Sequence, residues 1–517
     1  MIGPHSSSLS RNLSQIRERS DRSSCDAVRS RLRRALSSAR SAGVLVLHVV
    51  LNSLFAIACA WLVNLIVAHG SRITGVSPAT QSLVSFKAMT MGCVGLMNQL
   101  AALLLHSDIL RQSRPRSAPP LLLWPVAWQI LQRTWWQLLL TVGLTTVLAY
   151  ALATTDTHLQ PFKLHVYLCM VVVNGYTVSV QRAARAMIRE EQEKERSVRD
   201  ANAAVVRRKL TPTWRRMCLA HLKGMVNVLL VVFIAVYVHV ASRLTLDSHA
   251  LSIVFSASSI ALKVAFSEVI RHWALRQKKR LRLDTISVLV AIPTVLIDTQ
   301  VRLLLLRNSE QTATTTTTTS PVSLSLWSSI ALAFIEISTR MCKLAVLELS
   351  VRQRQRRRRT SSVRASLERR RASAIQRRAS AVASSINASG GDTWTQNARR
   401  FHAAELRADM YAEYIAIGCS MSIYFFYGQH PNFDFHIMRV EGNDASGLLV
   451  FSRSAMSVVA LQIFIEMLVD VISSAIELSF NVFSTVDERS QNFQRLLFAV
   501  CAVNTINISS LMYARDL

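Results

Sequence analysis

Apolar residues in this chain come in unbroken runs, separated by charged or Ser/Thr-rich stretches, and not at every second or every third to fourth position. Each run is about 20 residues long, the length of helix that crosses roughly 30 Å of hydrocarbon. Such a run must be a helix there, because a helix satisfies its own backbone hydrogen bonds away from water. About eleven runs are predicted as spans: 43–69, 82–106, 135–153, 165–181, 222–241, 250–270, 285–306, 323–349, 410–427, 454–478 and 493–513. The expected fold class is therefore all-α, a polytopic integral membrane helix bundle. Residues 121–132, with Trp124, Pro125 and Trp128, read as an interfacial segment ahead of the third span, the alternative being one long kinked helix.

Between the runs the expected organisation is simple. Residues 1–42 form a basic, irregular N-terminal tail, and 43–181 hold spans one to four. Residues 182–221 are a charged helical linker, with Glu190/Lys194 and Glu195/Arg199 at i,i+4 spacing. Spans five to eight follow in 222–349, a basic irregular loop in 350–409, and the last three spans in 410–517. Placing the N-terminus in the cytosol puts about 48 of the 60 Lys and Arg on the cytosolic side, as the positive-inside rule requires. The C-terminus is then outside. Short matches such as Ser71-Arg72-Ile73-Thr74 with Ser242-Arg243-Leu244-Thr245, and Ser258–Leu262 with Ser328–Leu332, join helices of the same direction. A parallel internal repeat, known among transporter folds, is one reading of them. Chance similarity between apolar helices is the other.

Composition changes this picture little. The formal charge of +29 over 517 residues would suggest nucleic acid in a soluble chain. Here the charge sits between apolar runs, no nucleic-acid signature is present, and the bilayer with its anionic headgroups is the expected partner. The eight cysteines are scattered singly, so neither a disulfide framework nor a zinc site is expected. No GxSxG, HExxH or P-loop pattern occurs, and neither an enzyme nor a bound cofactor is expected. The plasma membrane or an endomembrane is the expected location. The Ser/Arg-rich N-terminus keeps the mitochondrial inner membrane as an alternative.

Ionisable residues inside spans carry the functional reading, because each costs about 2.5–3.5 kcal/mol to insert. In the tenth run Glu466, Asp470, Ser473 and Glu477 fall on one helical face. In the eighth, Glu336 shares a face with Arg340 and Lys343; in the seventh, Thr294, Asp298 and Arg302 do so after Pro293. The sixth carries a polar stripe around Lys263, and the second pairs Lys87 with Asn98. Glu466, Asp470, Glu336, Asp298, Glu477, Lys263 and Lys87 are thus the candidates for a path that moves a cation, a proton or a small polar solute. The competing expectation is that acidic and basic stripes neutralise one another within a receptor or scaffold.

Outside the spans, His430, Asp434 and His436 are weak metal-ligand candidates whose spacing matches no specific site. In the 350–409 loop, Ser361, Ser373 and Ser380 each follow an Arg-Arg pair, the pattern a basophilic kinase accepts. Phosphate brings roughly −1.5 to −2 charges per site against the loop's attraction to anionic lipid. A peptide spanning 351–409 should bind anionic vesicles and bind them less once phosphorylated; equal binding of both forms would remove the switch.

Overall fold

Runs of Leu, Val, Ala and Ile without internal Gly–Pro breaks leave the backbone one regular choice, and the fold follows it. The computed structural model describes residues 6–67, 82–113, 123–155, 163–199, 232–244, 249–276, 283–315, 334–357, 360, 374–428, 433, 453–479 and 491–514. Apart from one isolated bridge between Phe433 and Ala514, regular structure among the described residues is helical. The helices are α1 (Ser6–Val67), α2 (Leu83–Ser113), α3 (Leu123–Thr155), α4 (Leu164–Arg199), α5 (Val232–Arg243), α6 (His249–Arg276), α7 (Leu283–Thr315), α8 (334–357), α9 (Ala374–Tyr427), α10 (Arg453–Ser479) and α11 (Gln491–Tyr513). Five stretches, Leu36–Val67, Leu83–Asp108, Ile286–Leu304, Val459–Leu478 and Gln494–Tyr513, are long and apolar enough to cross a membrane by length and composition.

Helix reaches beyond the expected spans in several places. The tail and the 350–409 loop, read as irregular, are helical where described: α1 starts at Ser6, α8 reaches 357 and α9 starts at Ala374. Neither 6–42 nor 374–409 contains proline; the first is rich in Arg and the second in Ala, both strong helix formers. The segment read as interfacial is the opening of α3. Pro125 sits in its first turn, where a missing N–H costs no intrahelical bond. Glu190, on the extension of α4, accepts two hydrogen bonds from Arg133 of α3, both 2.9 Å, an ion pair between helices that i,i+4 spacing does not foresee. Of the repeat segments, 71–79 and Ser328–Leu332 lie outside the described residues.

The chain divides into two compact units, each assembled from distant parts of the sequence. The first comprises Met1–Val49, Trp327–Ala403 and Leu461–Val486; the second comprises Val50–Leu326, Ala404–Ala460 and Asp487–Leu517.

In the second unit α2, α3 and α4 pack together, α11 packs on α2 and α7, and α6 packs on α7. Leu103, Leu110, Val126, Ile130, Tyr176 and Met187 form one apolar core where α2, α3 and α4 meet. In α11, 89% of the apolar window is buried, against 50% in α2, so α11 is the more enclosed of the two. Most of its polar side chains are buried with it, and Asn504 is half-buried. Asn504 donates to Asn98 of α2 at 3.1 Å. Gln300 of α7 donates to Ser509 at 2.8 Å and accepts from Tyr513 at 2.9 Å. Helices in hydrocarbon gain little from apolar contact and use such bonds to hold register. Ahead of α4, Lys163 adopts a left-handed backbone (φ 49°). Its buried ammonium donates to the Ala514 carbonyl at 2.6 Å, a cation at the carbonyl end of α11.

The second-unit part of α1 is laced to α9. Asn52 donates to Tyr411, Asn64 donates to Ser422 and accepts from Tyr427, and Trp61 donates to the Gly418 carbonyl. Gly418 is the close-approach point: a Cβ there would overlap three side-chain atoms of Ile57. Ile57 is β-branched and stiff, so it cannot step aside. Gly418→Ala should lower thermal stability of the purified protein by about 1–3 kcal/mol, and Gly418→Ala with Ile57→Ala should recover part of the loss. Unchanged melting of the single variant would refute the close approach.

Candidate functional site

In the first unit one face of α8 does the joining. Glu336, Arg340, Leu344, Leu347, Val351 and Arg354 recur at helical spacing along it. Leu344 packs with Met341, Ala403 and Ile476, and lower down Leu347 and Val351 pack with Trp394 and Ala398 of α9. This apolar contact sets the register in which Arg340 meets α10.

Arg340 is 4% exposed and donates in two directions. One nitrogen bonds Asp470 Oδ1 of α10 at 2.6 Å, and the other bonds Glu336 Oε1 one turn back on α8 at 2.9 Å. Asp470 is fully buried, whereas Glu336 is 21% exposed. The carboxylates of Glu336 and Glu466 offer oxygens within 4.8 Å of each other. Two carboxylates thus hold one guanidinium, and a third, Glu466, lies close to one of them. Further along the α10 face, Ser473 is buried and its hydroxyl has no hydrogen-bond partner among the described residues. Glu477 then lies 3.4 Å from His402 Nε2 of α9, both nearly enclosed.

The second unit also holds charged side chains. Lys263 of α6 reaches Asp298 of α7 at 3.2 Å and Glu413 of α9 at 3.8 Å. Glu413 is 2% exposed, less than either partner. One turn before Lys263, Ser259 shares a 2.6 Å hydrogen bond with Tyr237 of α5; one turn after it, Ser267 donates to Glu405. The expected polar stripe of the sixth run is therefore an interaction face. Thr294 Oγ1, next to Pro293, donates to the Val290 carbonyl of its own helix.

Of the seven candidates, Glu336, Glu466 and Asp470 come together, with Glu477 further along the same face. Asp298 and Lys263 pair in the second unit, and Lys87 lies fully buried in α2 on the face of Asn98. Ser361, Ser373, His430, Asp434 and His436 lie outside the described residues, and Ser380 falls on α9. Sequence reasoning missed two contributors, Glu413 and Glu405. Arg340 was visible as a basic neighbour, but its place between two carboxylates needs the α8–α10 register. Glu413 reads as a first-turn residue near a headgroup, and Glu405 lies in a stretch read as irregular. An i,i+8 pairing of Glu405 with Glu413 is the signal that extends the helix back to both.

Removing one partner of a buried ion pair strands the other, at about 3–5 kcal/mol, while exchanging both for apolar residues is close to neutral. Asp470→Leu and Arg340→Met should each lower stability strongly, and the two together should be more stable than either. Additive losses in that double-mutant cycle would show that the two side chains do not interact.

A scan against protein-family models, a search of curated proteins and a search of solved structures each find no match to this chain.

Proposed function

We propose that the chain is a multi-pass membrane protein of the secondary-transporter or channel type, moving a cation, a proton or a small polar solute past Glu336 and Glu466. The membrane part of this reading rests on the five long apolar stretches and on where apolar surface is exposed. Phe464, Leu468 and Ile472 are 65%, 52% and 40% exposed along one side of α10, away from its acidic face. Val44, Leu47, Leu51 and Leu54 line α1 in the same way. Contiguous apolar faces of this kind suit contact with hydrocarbon, not water. The N-terminus is assigned to the cytosol and the C-terminus to the opposite side, in the plasma membrane or an endomembrane, with the mitochondrial inner membrane as the alternative.

The observation that carries the transport reading is the close approach of two half-buried carboxylates beside the buried Arg340–Asp470 ion pair. Like charges at such separation repel, and a cation or proton between them relieves the repulsion. Arg340 has two unequal partners. Its bond to Asp470 is closed from solvent and ties α8 to α10; its bond to Glu336 is within one helix and more open. Glu336 can therefore exchange its guanidinium for an incoming cation while the interhelical bond stays made. The unpartnered hydroxyl of Ser473 adds a buried polar atom on the same face of α10 that a water or solute satisfies.

The tight closure of Arg340 on Asp470 favours the second reading, a receptor or scaffold in which charges only lock helices. Two measurements separate the readings. In a variant freed of native cysteines, single cysteines along 464–477 are exposed to an impermeant thiol reagent from each side. Transport requires labelling every third or fourth residue, on the face of Glu466 and Asp470; labelling that stops at the cytosolic end leaves the scaffold. In proteoliposomes, Glu466→Gln and Glu336→Gln should each cut cation- or proton-coupled flux at least tenfold while the protein stays folded. Flux indifferent to both substitutions would end the proposal.

A further inference from the structure

A second feature of the first unit lies at the far end of α8 and uses none of the carboxylates above. Arg352, Arg354, Arg356 and Arg357 are exposed there, and α9 adds Arg400 and the half-buried Arg399. Glu348 is 3.1 Å from Arg352 and engages it. The remaining arginines belong to a folded surface, because Leu347, Val351, Ala398 and Trp394 pack beneath them. Arg354 is fixed further: its guanidinium carbon sits 4.1 Å above the Trp394 ring. Stacking orients the plane of the guanidinium and leaves its N–H edge free to meet phosphate oxygens in pairs.

We infer that this surface binds the phosphate-bearing headgroup of an anionic lipid. Charge complementarity alone would admit any polyanion. The pattern along α8 singles out lipid. Val346 and Leu349 are 49% and 65% exposed, and the same side of the helix continues directly into Arg352 and Arg356. Apolar side chains in the open, followed within about two turns by arginines, are what a helix presents where hydrocarbon gives way to headgroups. A nucleic acid or an acidic peptide would have no use for the apolar half. The surface shares α8 with Arg340, 14 residues earlier, or about 21 Å along the helix axis. A headgroup gripping Arg354 and Arg357 therefore holds the helix that carries the ion pair. The inference needs the chain to lie in a bilayer but does not depend on transport by Glu336 and Glu466.

The test uses the full chain in neutral detergent, with bound lipid counted by native mass spectrometry. The probes are short-chain phosphatidylserine and phosphatidylinositol bisphosphate, with phosphatidylcholine and inorganic phosphate as controls. The comparison variant is Arg356→Gln/Arg357→Gln/Arg400→Gln, all exposed positions that leave the Trp394 packing untouched. A second variant, Trp394→Phe, loosens the stacked Arg354 without removing charge. The expected result is retention of anionic lipid over phosphatidylcholine. The triple variant should bind about a hundredfold more weakly, about fivefold per arginine at roughly 1 kcal/mol each. Trp394→Phe should be weaker by several-fold at full charge. Equal lipid binding by the triple variant and the unmodified chain overturns the inference. So does displacement of the lipid by inorganic phosphate at the same concentration, which would make this a free-anion site. An acidic peptide that outcompetes the lipid would mark a protein-docking surface and overturn it as well.

Discussion

A guanidinium taken out of water must be met by oxygen on every side that faces the interior, and this requirement fixes how α8 and α10 meet. Arg340 is charged at any accessible pH, so it cannot escape by losing its proton. Its partners must come from the two helices at hand. The α10 carboxylate arrives from across the interface and the α8 carboxylate from one turn away. The apolar layer of Leu344, Ala403 and Ile476 is positioned by the same register. A slip of one residue between the two helices would turn Asp470 roughly 100° away and leave the charge stranded.

The two charged groups are built on different chemistry. In the first unit the cation is arginine, whose planar fork holds two carboxylates at once and does not titrate. In the second it is Lys263, a point charge on a flexible stem, closer to Asp298 than to Glu413. A fork locks geometry, whereas an ammonium between two acids shifts from one to the other with little movement of the backbone. The first group suits a fixed scaffold with one exchangeable arm at Glu336. The second suits a charge that relocates.

The helices were legible because their signal is local. An apolar run of span length declares itself without any partner, and each run overlaps a described helix. Faces were legible for the same reason: the i,i+4,i+7 spacing of Glu466, Asp470 and Ser473 is a property of one helix. Pairings were not. That Asp298 meets Lys263, or that Asn64 lies between Ser422 and Tyr427, depends on which helices adjoin, and single-sequence periodicity carries no such information. The charged stretches are less legible, because high charge and few aromatics describe a disordered segment and a solvated, packed helix alike. Trp394, a lone aromatic in a basic stretch, is the residue that anchors one of them, with Arg354 above it and Val351 below.

The enclosure of α11 bears on how the protein is made. Asn98 and Gln300 take their hydrogen bonds from a helix that begins at Gln491. During synthesis α2 and α7 are complete long before that helix exists, about 200 to 400 residues earlier in the chain at roughly 5–20 residues per second. For that interval, tens of seconds, their polar side chains sit in an unfinished bundle with a vacant centre. Something must shelter them: water in an open cleft, a substitute helix of the same chain, or an insertion factor. The last helix to be made is thus the one that completes the hydrogen bonds of two made long before it.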